Sequence, residues 1–128
     1  MTDIRSALED LLNRQDIPLE EALERHFSPD YRQRTNGQWD DRAAFVRHVR
    51  KLREVVARAR IEVLDELRNG TSYADRHRVH VTKRDGSEVV QEVYLFGEVD
   101  AAGRFLRIEE TTLMLSGAEA DRDIGSAK

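Results

Sequence analysis

The sequence predicts an α+β domain: a cone-shaped, curved antiparallel (in part mixed) sheet covered by three amino-terminal helices. Apolar residues recur at helical spacing through the first part of the chain and switch to period two from about Arg60 onward. The second half carries three long alternating runs, Ser72–Lys83, Val89–Val99 and Phe105–Leu115, joined by Asp85-Gly86 and by Asp100-Ala101-Ala102-Gly103. That is an antiparallel meander. Strands segregated from helices in this way place the helices on one side of the sheet, which leaves a conical pocket between the layers.

Each element has a local reason. Ile4, Ala7, Leu8, Leu11 and Leu12 step by three and four, predicting a first helix over about Asp3–Arg14. Asp16 is a candidate N-cap with Pro18 in the first turn, and Leu19, Ala22, Leu23, His26 and Phe27 give a second helix its apolar side; Ser28-Pro29-Asp30 ends it. Tyr31–Thr35 reads as a short extended piece closed by the Asn36-Gly37 turn. A third helix is expected from a cap at Asp40, with Phe45, Val49, Leu52, Val56 and Ala59 on one side and His48 on its flank. Arg60–Arg68 alternates Ile61, Val63, Asp65 and Leu67 against Glu62, Leu64, Glu66 and Arg68, and Asn69-Gly70 turns the chain into the meander.

Composition bounds the function. With 128 residues the chain is one domain, expected over residues 1–116, followed by a tail 117–128 that is flexible or docks on a partner. A net charge of −4 with both signs interspersed lacks the basic stripe of a nucleic-acid binder. There is no cysteine, so disulfides, thiolate metal sites and a cysteine nucleophile are excluded. No run approaches the ~18 apolar residues that span a bilayer, and Met1-Thr2-Asp3-Ile4-Arg5 is not the start of a secretion signal, so no membrane partner is expected and the cytoplasm is the expected location. His77 and His80 sit three apart on a strand and point to opposite sides, and His26 and His48 lie on different helices, so no metal site is expected. Phosphate loops, a nucleophile elbow and dinucleotide fingerprints are absent, and no cofactor is expected.

Certain residues carry a resemblance. His26-Phe27-Ser28-Pro29-Asp30-Tyr31, the Asn36-Gly37 turn, Asp41-Arg42 with Phe45 and His48, and Gly103-Arg104-Phe105 leading to Arg107-Ile108-Glu109-Glu110-Thr111-Thr112 resemble the nuclear transport factor 2-like superfamily, and within it the SnoaL-like (polyketide-cyclase-like) group, over about residues 4–116. The resemblance implies a small organic ligand in an apolar pocket and a homodimer formed through the outer sheet face. For activity it implies either cofactor-independent acid–base chemistry (isomerisation, dehydration or aldol-type cyclisation) or a non-catalytic dimeric binding or assembly module.

Proton transfer in an apolar cone needs a carboxyl or imidazole of perturbed pKa and a donor for the developing oxyanion. Glu110 interrupts the stripe Leu106, Ile108, Thr112, Met114, where burial would raise its pKa; the alternative is a register shift that pairs it with an arginine at the rim. Asp75 and His77 project the same way from one strand and form either an oriented base or a surface ladder. Tyr31, after the second helix, is either an oxyanion donor or a partner for a buried carbonyl. Ligand contacts are expected from Phe45 and His48 on the long helix, from Trp39 unless it staples that helix's first turn, and from Tyr94 and Phe96. Val93, Leu95 and Val99 make the other face of that last strand apolar too, so one face is expected under the helices and the other against a partner subunit.

Overall fold

The computed structural model describes residues 1–127. Helix α1 (Ile4–Leu8) is capped by the Asp3 carboxylate, which accepts from the Ser6 amide, and runs on into a π-helical turn over Glu9–Asn13. Helix α2 (Leu19–His26) starts directly after an extended Pro18, so Asp16 lies outside it. Helix α3 (Arg42–Val55) is capped by Asp41, whose Oδ1 accepts from the Ala44 amide at 2.9 Å; the cap is one residue later than the sequence suggested, because Asp40 belongs to a strand.

The strands are β1 (Phe27–Thr35), β2 (Gln38–Asp40), β3 (Val56–Asn69), β4 (Ser72–Lys83), β5 (Glu88–Val99) and β6 (Phe105–Ser116). They form one mixed sheet in the order β2-β1-β6-β5-β4-β3, in which only the β1–β6 pair is parallel. Strand β1 begins at Phe27, earlier than expected, and takes in Ser28-Pro29-Asp30. Asn36 and Gly37, at φ 50° and 89°, make the tight turn into β2 that left-handed backbone permits. The helices cover one face, where Leu11, Leu23, Phe27, Phe45 and Val49 pack on Ile61, Val81, Val93, Leu95 and Ile108.

Bulges bend the sheet and re-aim side chains. In β3, Val63 pairs with His77 and Asp65 with Arg76, so Leu64 is the extra residue and the alternation reverses beyond it. Leu67 is therefore 72% exposed, while Glu66 turns inward to accept from the Tyr73 hydroxyl and Arg68 lies over the Tyr73 ring. In β6, Val99 pairs with Phe105 and Glu98 with Arg107, so Leu106 is bulged out and Phe105, expected beside Arg107 and Glu109, is fully buried against Phe27 and Tyr73.

The carboxy-terminal segment runs back over the domain. Residues 117–127 are seated on their own domain through two short 3-10 turns, Glu119–Asp121 and Ile124–Ser126. Lys83 Nζ meets Asp121 Oδ1 at 2.9 Å, Gln91 Nε2 donates to the Arg122 carbonyl at 3.0 Å, and Ile124 packs on the core. One apolar residue with flanking backbone acceptors is enough anchor where the sheet offers an inward amide.

Candidate functional site

Register places the polar side chains of the inner face. Thr35 on β1 lies opposite Glu110 on β6, Glu110 opposite Leu95 on β5, and Leu95 opposite Asp75 on β4. One step along, Thr112, Val93 and His77 form the next row. Neighbouring strands lie ~4.8 Å apart, so Glu110 and the Asp75–His77 pair face each other from backbones about 10 Å apart across one apolar strand.

Above these rows lie two chambers. The larger, about 110 Å³, is walled by Leu52, Val56, Val79 and Val93, with His77, Gln91, Glu110 and Thr112 as its polar lining and Ile124 and Gly125 of the tail closing it. The smaller, about 70 Å³, lies among Phe27, Tyr31, Gln33, Phe45, Val49 and Ile108. Glu110 and His48 line both, and among the described residues no lysine or arginine lines either.

Glu110 Oε1 accepts from the Thr35 hydroxyl at 3.3 Å. Burial pushes its carboxyl up to about 7; the Asp75 charge adds to that, while His77 and the Thr35 hydrogen bond pull the other way. Among the described residues no arginine pairs with it, because the β6 bulge lies before Glu110 and leaves it facing inward. Asp75 and His77 are joined at 3.0 Å between Oδ1 and Nδ1, with side chains 0% and 2% exposed, which settles them as an interior pair and removes the surface-ladder alternative. Burial raises the Asp75 pKa although His77 opposes the rise. Asp75 Oδ2 is buried with no hydrogen-bond partner among the described residues. With Nδ1 held by Asp75, Nε2 is the ring nitrogen left for chemistry.

Tyr31 is buried, but its hydroxyl donates to Gln33 Oε1 at 2.7 Å instead of waiting for a substrate oxygen. Burial first, and the Glu110 charge second, push its pKa well up, so it stays a phenol. Phe45 is buried edge-on to Tyr31 and lines the smaller chamber. His48 lines both chambers, and its Nδ1 donates to the Ala127 carbonyl at 2.5 Å, tying α3 to the tail.

Three expected ligand contacts lie elsewhere. Trp39 sits on β2 beneath the Arg32 guanidinium, 47% exposed and outside both chambers; with the helix cap at Asp41, Asp40 and not Trp39 holds the staple position before it. Tyr94 and Phe96 are 44% and 53% exposed on the outer sheet face, since β5 turns Val93 and Leu95 inward. Gln33, Thr35, Gln91 and Thr112 belong to the site without having been singled out. The steps of two from Tyr31 to Gln33 and Thr35 are the sequence signal that points to the first two. Among the described residues no group of three or more His, Asp or Glu side chains could hold a metal ion; His77 points inward and His80 outward to Glu62. No helix is long and apolar enough to cross a membrane.

The tail supplies part of the chamber wall on few anchors. Asp121→Ala should speed backbone amide exchange over residues 118–127 several-fold, while global stability falls by no more than about 1 kcal/mol, the ordinary worth of a partly exposed ion pair. Hydrogen–deuterium exchange measured by mass spectrometry checks this, and unchanged exchange would mean that Ile124 alone holds the segment.

Comparison with known proteins agrees with this geometry. The SnoaL-like domain family model matches residues 4–108. An uncharacterized protein of Schizosaccharomyces pombe is 31% identical over 109 residues, covering 84% of this chain and 82% of that one. A crystal structure from Rhodopseudomonas palustris, provisionally named an isomerase, superposes with a TM-score of 0.72 at 16% identity over 98% of this chain and 99% of that one. A nuclear transport factor 2-like protein of unknown function from an Exiguobacterium species does so with a TM-score of 0.65 at 18% identity over 84% and 95%. The chain belongs to the SnoaL-like domain family and has the nuclear transport factor 2-like α+β fold.

Proposed function

We propose that the chain binds a small organic molecule in its two chambers and moves a proton on it without a cofactor. Glu110 is the base, and His77, oriented by Asp75, is the second proton carrier. The observation that supports this most is the Glu110 carboxyl, its pKa raised to about 7 on the wall shared by both chambers, with no lysine or arginine among the described residues lining either. A base of that pKa exchanges protons readily at neutral pH, and the apolar surround strengthens its interaction with a developing charge. The reaction class is isomerisation, dehydration or aldol-type cyclisation. The structural neighbour named as an isomerase fits this class.

The same reading has the protein act in the cytoplasm as a homodimer through the outer sheet face, where Tyr94, Phe96, Leu113 and Leu115 are exposed. A rival reading, a binding module without chemistry, draws on the chamber sizes, which are small beside the ~300–1,000 Å³ of pockets for drug-sized ligands.

The test needs no knowledge of the natural product. Cyclohexanone and γ-butyrolactone are incubated with the protein in D₂O, and loss of the α-proton signal is followed by NMR. Washout on the order of 100-fold or more over buffer, lost in Glu110→Gln, is expected. Binding of either compound without washout would favour the rival.

A further inference from the structure

Strand β1 places Tyr31, Gln33 and Thr35 on the inner face at steps of two, each almost fully buried. Their hydrogen bonds run one way. Tyr31 donates to Gln33 Oε1 at 2.7 Å, Gln33 Nε2 donates to Thr35 Oγ1 at 3.0 Å, and Thr35 Oγ1 donates to Glu110 Oε1 at 3.3 Å.

The direction is forced by the donor inventory. An ionised Glu110 can only accept, so Thr35 gives it the hydroxyl proton, and the Gln33 amide turns its nitrogen toward Oγ1 and its oxygen toward the Tyr31 phenol. Three dipoles in series thus point their positive ends at one oxygen of Glu110, and each polarises the next. The chain does not pass protons, because relay through the Gln33 amide would need its imidic acid form; its effect is electrostatic and positional.

We propose that Thr35 and Gln33, backed by Tyr31, are positioning residues that fix Oε1 of Glu110 and hold Oε2 toward the chambers. This rests on Glu110 being the base. It assigns the work to residues that never touch the ligand's reacting atoms. The parallel pairing of β1 with β6 makes it possible, since Thr35 lies directly opposite Glu110. Among the described residues the other titratable groups facing Glu110 are Asp75 and His77 from β4, His48 from α3 and Tyr31 itself; α1 presents Ile4 and Leu8, the π-helical turn Leu11 and Leu12, and the tail Ile124 and Gly125.

The test is a ¹³C NMR titration of the Glu110 side-chain carboxyl in the ligand-free protein, with Glu110→Gln used to assign the signal. Thr35→Val keeps shape and removes the donor. It should make the carboxyl about tenfold easier to protonate, and Thr35→Ser should restore the original titration. Tyr31→Phe, which leaves Gln33 and Thr35 in place, should move it the same way by a smaller factor. If Thr35→Val titrates as the parent does, or if Val and Ser at this position shift it equally, the positioning role is wrong. Should Thr35→Val fail to fold, Tyr31→Phe carries the test: an unmoved titration there overturns the chain. No substrate enters the measurement, so absence of α-proton washout with these shifts intact would count against the proton-transfer reading alone.

Discussion

Glu110→Gln should stabilise the folded chain above about pH 7 and leave it nearly unchanged at pH 4.5. The carboxyl is raised from 4.5 to about 7 on folding, chiefly by burial. A raised acid means that the folded state holds the proton more tightly than the unfolded one. Below 4.5 both states are protonated and there is no penalty. As pH rises through the window the unfolded chain ionises first and gains, so folding stability falls until the folded carboxyl also loses its proton near 7. Above that the penalty is constant. Between 4.5 and 7, at ~1.4 kcal/mol per pH unit, it reaches about 3 kcal/mol. That is an upper value, since Glu110 keeps a partly accessible edge at the chamber wall. Glutamine can still accept from Thr35 and has no charge to bury. Denaturant melts of both proteins from pH 4 to 9 check this; parallel profiles would mean that Glu110 ionises in the folded chain as an ordinary surface carboxylate.

That the base candidate could be found at all reflects what alternation encodes. Alternation set Glu110 in an apolar stripe and put Asp75 and His77 on one side of β4, because period two is a direct statement about faces. The same rule failed wherever a bulge intervened. Leu64 and Leu106 carry no composition that marks an extra residue, so Glu66, Arg68 and Phe105 were assigned to the wrong side. Tyr94 and Phe96 show a second limit: a sheet with one apolar face under helices and aromatic residues on the other gives no local sign of which face is the cavity's. The tail was illegible for a third reason. Its hold depends on Gln91 and Lys83, some thirty positions away in sequence, and a docking site that distant leaves no mark on the segment that uses it.

The second large effect concerns the Asp75–His77 pair, and it separates an oriented imidazole from two buried polar groups that happen to touch. His77→Leu takes the hydrogen-bond partner from Asp75 Oδ1, while Oδ2 is already without one among the described residues, and should cost about 3–5 kcal/mol at pH 8. Asp75→Leu removes the acceptor from Nδ1 and should cost about 1–3 kcal/mol. In the double variant neither orphan remains, so its cost should fall short of the sum by about 1–3 kcal/mol. The pH dependence carries a sign of its own. Burial already raises the Asp75 pKa, and loss of His77 removes the main group that opposes that rise. The lone carboxyl then takes up a proton more readily as pH falls, and a neutral acid is cheaper to bury than an anion, so the His77→Leu penalty should shrink from pH 8 to pH 5. Denaturant unfolding of the parent and the three variants at both pH values measures every term. Strictly additive costs would show that the contact carries no coupling; Asp75 would then have no means of fixing the His77 tautomer, and Glu110 would be left as the one proposed proton carrier in the chambers.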